Sequence, residues 1–186
     1  MKPRKRKCPH CREWYMPFNS LQKSCAKPAC AIAAGREQQA KKRKRENQRD
    51  RERIKSLTEV FGECQRVANE YVKHRDKGLP CISCGNPQTS DAGHYYHAGS
   101  KYRVSLLRLD PRNLNMQCGS CNRFKGGGNA AEYMEGYIAR YGQAAFEELQ
   151  ELKLMADRGE LPQPSKNDVR RIKAHYRDKI RRMRRG

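Results

Sequence analysis

The sequence predicts an α+β fold: a small cysteine-stapled ββα core with a basic helical arm before it and helices after it. Three observations predict it. Eight of the nine cysteines fall into two quartets, Cys8-x-x-Cys11 with Cys25 and Cys30, and Cys81-x-x-Cys84 with Cys118-x-x-Cys121. Four thiolates so spaced suit a tetrahedral zinc ion, and disulfides are not expected in a reducing compartment. Hydrophobic residues make up only 36% of 186 residues and mean hydropathy is −1.10, so a modest core with solvated segments fits better than one continuous globule. Finally, a formal net charge of +21 points to a polyanionic partner, nucleic acid first.

Residues 1–35 form the N-terminal knuckle, with Cys8, Cys11, Cys25 and Cys30 as structural zinc ligands and His10 on the surface. Trp14, Tyr15 and Phe18 are expected to cover the metal as a mini-core rather than to stack on bases. Residues 36–78 read as one long helix over 36–77. Its first half, Arg36 to Lys55, holds ten Lys and Arg against four Asp and Glu; either a solvated face or an arm tracking phosphates would look like this. Ile54, Leu57, Phe61, Cys64, Ala68 and Tyr71 make an apolar stripe along it, with Cys64 a buried small hydrophobe. The core follows at 79–128. At 129–160 a helical pair is expected, opened by an Asn129/Glu132 capping box, broken at Gly142 and ended at Gly159. Its aromatics read as packing. Residues 161–186 are a basic tail, ten Lys and Arg against two Asp, whose thin apolar stripe suggests a helix that forms on docking.

Within the core, Gly93–Tyr96 and Tyr102–Leu109 read as a hairpin and Cys118–Phe124 as a short helix, with His94 and Asn122 facing each other. Cys81, Cys84, Cys118 and Cys121 staple it. The enclosed His, Asp and Asn residues suit a harder cation such as Mg²⁺ or Mn²⁺. Phosphodiester hydrolysis needs a neutral imidazole as base, oxygen ligands for a divalent ion and surrounding positive charge. All are in this stretch. The plainer reading is a structural zinc ribbon whose His94 and His97 only satisfy hydrogen bonds.

The order Cys-x-x-Cys, Asp91-Ala-Gly-His94, Asn113-Leu114, Cys118-x-x-Cys121-Asn122 and Lys125 resembles the HNH, or ββα-metal, endonuclease motif. The whole chain is similar to the NinG/Rap family of lambdoid phages, through its N-terminal knuckle, basic helix, Asp-Ala-Gly-His, Gln-Cys-x-x-Cys-Asn, glycine-rich turn and two helices. That resemblance implies a recombination nuclease acting on branched DNA such as Holliday junctions and D-loops. It implies His94 as general base, Asn122 as metal ligand, Asn113 as a brace for the hairpin loop and Lys125 on the phosphate. The motif's residue before the histidine is Gly93 here, so Asp91 is expected to supply the second oxygen ligand; alternatively His94 binds metal and His97 is the base. Lys41, Lys42, Arg43, Lys44, Arg45, Arg123, Arg170, Arg171, Arg181 and Arg182 are expected to grip DNA through phosphates. Two symmetric nicks imply a homodimer, with the stripe from Ile54 to Tyr71 a candidate interface. No membrane partner or small-molecule substrate is expected: no apolar run approaches ~20 residues, and no signal peptide is visible, which suggests the cytoplasm of the host. A non-catalytic zinc-finger accessory and an RNA-binding protein are the rival readings.

Overall fold

The computed structural model describes residues 4–96 and 105–185. His97 and the start of the expected Tyr102–Leu109 strand lie outside them. The chain divides into two compact units, Met1–Lys55 and Ser56–Gly186.

The first unit is a knuckle and a helix. Strands β1 (Arg6–Lys7) and β2 (Trp14–Tyr15) pair antiparallel with Arg6 opposite Tyr15 and Lys7 opposite Trp14. Helix α1 (Pro28–Ile54) starts on Pro28, whose fixed φ suits a first helical turn. Along its 27 residues Cys30 alone is buried, so no apolar face holds α1 in place. Propensity and short-range ion pairs carry it instead, among them Lys42 with Glu46 at 3.9 Å and Arg53 with Asp50 at 3.5 Å.

The expected single helix over 36–77 is two helices. Ser56 begins α2 (Leu57–Arg75) with a capping box: its hydroxyl accepts from the Glu59 amide at 3.2 Å, and the Glu59 carboxylate accepts from the Ser56 amide at 2.7 Å. Ile54 therefore leaves the stripe and is 74% exposed. The rest of that stripe is not a free interface, because α5 (Lys166–Met183) covers it. Val60, Phe61, Cys64, Ala68, Tyr71 and Val72 of α2 share one core with Val169, Tyr176 and Ile180 of α5. The basic tail thus contains a docked helix, because its three buried side chains find an apolar face in the same chain.

Strands β3 (Asp91–His94) and β4 (Leu114–Gln117) pair antiparallel on that core, Asp91 opposite Gln117 and His94 opposite Leu114. The partner of β3 is therefore β4. Instead of the expected strand, Leu106–Leu109 is a 3₁₀ turn capped by Ser105, followed by a second at Pro111–Asn113. Helix α2 is tied to β4 by Arg75 and the buried Asp76. Arg75 forks onto Asp76 at 2.6 and 2.8 Å and donates to the carbonyls of Pro111 and Leu114, while Asp76 accepts from the Met116 amide at 3.2 Å.

A π-helical turn (Ser120–Phe124) leads into α3 (Gly126–Tyr141) and α4 (Gln143–Arg158). Helix α3 starts at Gly126 without a side-chain cap, ahead of Asn129, whose side chain lies against the Cys121 sulfur and the Glu132 carboxylate. Tyr133, Tyr137, Phe146 and Leu149 form a second core with Ile82 and Leu107. Gly136 lets α3 sit directly on the cysteine knuckle, since a Cβ there would lie 1.7 Å from the Ile82 carbonyl oxygen.

Candidate metal centres and nucleic-acid interface

Two sulfur clusters stand out. In each quartet, Cys8/Cys11/Cys25/Cys30 and Cys81/Cys84/Cys118/Cys121, all four Sγ atoms lie within 4.8 Å of one another. With a Zn–S distance of about 2.3 Å, the edge of a tetrahedron is about 3.8 Å. Cys11 and Cys25 are 3.6 Å apart, and Cys84 and Cys118 are 3.7 Å apart. Backbone amides point at the sulfurs, Cys25 onto Cys8 and Cys121 onto Cys118, both at 3.5 Å. The Cys121 amide is the main reason that the Cys118 thiol is lowered to about 7, whereas burial and the crowded sulfurs push Cys121 up to about 12. Four thiolates this close need a cation to coexist, and both clusters could hold zinc.

A second cluster, of oxygens, lies beside the second quartet. Asp91 starts β3, and Asn122 and Arg123 stand on the π-helical turn that Cys118 and Cys121 anchor. Arg123 forks onto Asp91, Nε to Oδ2 at 2.7 Å and Nη2 to Oδ1 at 2.8 Å. The Asn122 amide donates to Asp91 Oδ2 at 3.1 Å. These donors, Arg123 foremost, lower the Asp91 carboxyl to about 2. Strand register puts Asp91, Gly93, Asn115 and Gln117 on one face of the pair, and Ala92, His94, Leu114 and Met116 on the other.

Gln117 belongs to this cluster although nothing in the sequence singles it out. It is fully buried, and its Nε2 donates to Ser83 Oγ and to the Gly128 carbonyl, both at 2.8 Å. A carbonyl only accepts, so this amide cannot be turned round. Its Oε1 is directed at Gly93 and meets no hydrogen-bond donor among the described residues. Asn122 is fixed in the same way, because the Asp91 carboxylate takes its Nδ2. The two amide oxygens lie 1.8 Å (Gln117) and 3.1 Å (Asn122) from the point that a Cβ on Gly93 would occupy. Gly93 therefore opens a space for carbonyl oxygens from the opposite strand and turn.

His94 leaves from the other face. Its Nε2 lies 3.1 Å from the Arg108 carbonyl, to which it can only donate. Asn113 is fully buried and binds three backbone groups: the Tyr96 amide at 2.8 Å, and the carbonyls of Tyr96 and Leu107 at 3.1 Å each. It thus ties the end of β3 to the 3₁₀ turn that carries Arg108. The structure brings together Asp91, Asn122 and Arg123, with Lys125 exposed at the start of α3, while His94 stands on the opposite face of the strand.

The basic residues fall into two groups. Lys41, Lys42, Arg43, Lys44 and Arg45 are exposed on α1. Arg170, Arg171, Arg181 and Arg182 lie on α5, where Arg171 pairs with Asp168, and Arg181 and Arg182 with Asp178. The expected aromatic mini-core is not there. Tyr15 alone of the three aromatics packs on the first quartet, while Trp14 and Phe18 are 65% and 87% exposed. No described helix is long and apolar enough to cross a membrane.

The family model described as the bacteriophage lambda NinG protein matches residues 1–186. The protein NinG of Escherichia phage 933W is 31% identical over 203 residues, covering 98% of this chain and 96% of that protein. That of Escherichia phage lambda is 31% identical over 171 residues, covering 80% and 81%, and that of Enterobacteria phage H19B 33% identical over 169 residues, covering 80% and 82%. No solved structure matches.

Proposed function

The chain belongs to the NinG family, and from that premise we propose that it is a structure-specific DNA endonuclease that cuts branched recombination intermediates by metal-dependent hydrolysis. The observation that supports this best is the pair of amide oxygens, from Asn122 and Gln117, held beside Asp91 at the one position where β3 has no side chain. A carboxylate and two carbonyl oxygens are hard ligands, suited to Mg²⁺ or Mn²⁺ and unlike the sulfur quartets. Such a cation, when bound, stabilises charge on the phosphate and on the departing 3′ oxygen.

Asp91 is already paired with Arg123, so Asp91 would hold a cation only in exchange for Arg123, whose side chain, 60% exposed, would then be free to meet a DNA phosphate. His94 would be the base that takes the proton of the attacking water. An in-line displacement has attacking water and leaving oxygen on opposite sides of phosphorus. A base and a cation site on opposite faces of one strand accord with that, if the scissile phosphate lies across the end of β3. The zinc quartet keeps the turn rigid, and α1, α5 and Lys125 hold the backbone of the DNA through phosphates.

A non-catalytic accessory is the second reading, and the Arg123–Asp91 fork favours it, because a purely structural latch would look the same. Cleavage of a synthetic four-way junction with and without Mg²⁺ or Mn²⁺ separates the two. Metal-dependent nicks support the nuclease; tight binding with no nick under either ion supports the accessory.

A further inference from the structure

The first unit carries four exposed apolar side chains that the zinc knuckle does not use. Trp14 is 65% exposed, Met16 59%, Phe18 87% and Leu21 82%. Large apolar side chains gathered in so short a segment and left in water point to a binding surface. The backbone that carries it is held firmly. Pro17 is fully buried. Phe18 donates its amide to Gln22 Oε1 at 2.7 Å, and Asn19 Oδ1 accepts from the amides of Leu21 and Gln22, both at 3.0 Å. Arg6 fastens the same loop from the other side through the carbonyls of Ser20 and Gln22. Rigid turns thus hold Phe18 and Leu21 out in solvent.

The strand register says what stands next to these side chains. Lys7 lies directly opposite Trp14, so both project from one face of the β1–β2 pair. Arg6 and Tyr15 take the other face, where Arg6 grips the loop and Tyr15 donates its hydroxyl to the Gln22 carbonyl. The outward face therefore sets the Trp14 indole beside a cation. Charge limits what can lie on it: residues 4–55 hold seventeen Lys and Arg against five Asp and Glu. A planar apolar group beside a phosphate-binding ammonium matches a nucleotide whose base is unpaired, since bases inside a duplex already stack on each other.

We propose that the Trp14 indole stacks on unpaired bases, with Phe18 on the adjoining loop as a second stacking surface, so that the N-terminal unit binds single-stranded DNA while the basic run of α1 binds phosphates without regard to strandedness. The proposal rests on the reading of the chain as a DNA-binding protein, and not on its cleavage chemistry. The platform would engage a displaced strand or an opened branch point.

Trp14 is the sole tryptophan and so reports on itself. The experiment titrates the zinc-loaded full chain, without Mg²⁺ or Mn²⁺, with oligothymidylate and with a blunt duplex of equal length, reading tryptophan emission and, separately, the anisotropy of labelled DNA. Emission is expected to be quenched by oligothymidylate and little changed by the duplex. Phe18→Ala and Trp14→Ala are each expected to weaken oligothymidylate binding by roughly 5- to 150-fold, with duplex affinity and zinc content unchanged and Trp14→Phe restoring most of the loss. The proposal is overturned if oligothymidylate binds by anisotropy without quenching Trp14, if the duplex quenches equally, or if both alanine variants bind like wild type. An emission change that follows protein concentration without DNA would also overturn it, and would assign the patch to self-association. A chain that cuts nothing but passes this test loses the nuclease reading and keeps the platform.

Discussion

Replacing Gly93 by alanine probes the candidate site through one methyl group. In an ordinary strand, Gly→Ala stabilises by ~0.4–1 kcal/mol, because it narrows the unfolded ensemble. Here the new Cβ would lie 1.8 Å from Gln117 Oε1 and 2.7 Å from its Cδ, so the Gln117 side chain has to leave. Leaving breaks its hydrogen bonds to Ser83 and Gly128 at about 1 kcal/mol each, and strands the Gly128 carbonyl. The net cost is on the order of 3 kcal/mol. Gly119→Ala is the control: its nearest neighbour would be 3.6 Å away and its φ is −58°, so no loss is expected. Urea unfolding followed by circular dichroism in zinc-containing buffer reads both. Combining Gly93→Ala with Gln117→Ala tests the cause, because the cost of the new methyl should largely vanish once the obstacle is gone. A Gly93→Ala protein as stable as wild type, or a cost that survives the loss of Gln117, would refute the packing argued for this site.

The Asp91 carboxyl, lowered to about 2 mainly by Arg123, favours the folded state fully above about pH 4, the ordinary carboxylate value, and loses that contribution as pH falls towards 2. Its carboxyl carbon shift should therefore titrate near 2, and Arg123→Ala should move the midpoint up towards 4; an unmoved midpoint would remove Arg123 as the cause. Metal analysis should find two zinc ions per chain, with no cysteine alkylated at pH 8. After chelation eight thiols should react and Cys64 last, since burial pushes that thiol up to about 11. Changing Lys41, Lys42, Arg43, Lys44 and Arg45 to glutamine should flatten the salt dependence of duplex binding, by roughly 0.9 in the log–log slope for each phosphate that the helix no longer neutralises; an unchanged slope would leave α1 without a role in DNA binding.

Legibility follows how local each signal is. The cysteine quartets can be read because ligand spacing is a property of short segments, and the α3–α4 pair because its apolar periodicity is strong. The break at Ser56 is visible in principle: Ser56-x-x-Glu59 is a capping box, but uninterrupted helix formers on both sides mask it. Strand β4 is harder. It buries Asn115 and Gln117 as completely as Leu114, so neither alternation nor hydrophobicity marks it. Tyr102–Leu109 looks like the better strand by composition, yet its described part, from Ser105, turns, because Ser105 caps a 3₁₀ helix and tertiary packing overrides propensity. Helix α5 reads as a helix that forms on docking, because Val169, Tyr176 and Ile180 mark a stripe within a heavily charged tail, but only the complementary face of α2 shows what it docks on. The direction of the Gln117 amide depends on Gly128 and Gly93, 11 and 24 residues away along the sequence. No single-segment pattern carries that.

The measurement that tests the account most directly is single-turnover cleavage of a four-way DNA junction in Mn²⁺ by wild type, His94→Ala and Asn122→Ala, each with its zinc content and circular dichroism verified. The account predicts metal-dependent nicks from wild type, and folded, zinc-replete variants that bind the junction and leave it uncut or cut it at least about a hundredfold more slowly, as losing a general base implies. Cleavage by either variant at the wild-type rate would contradict it.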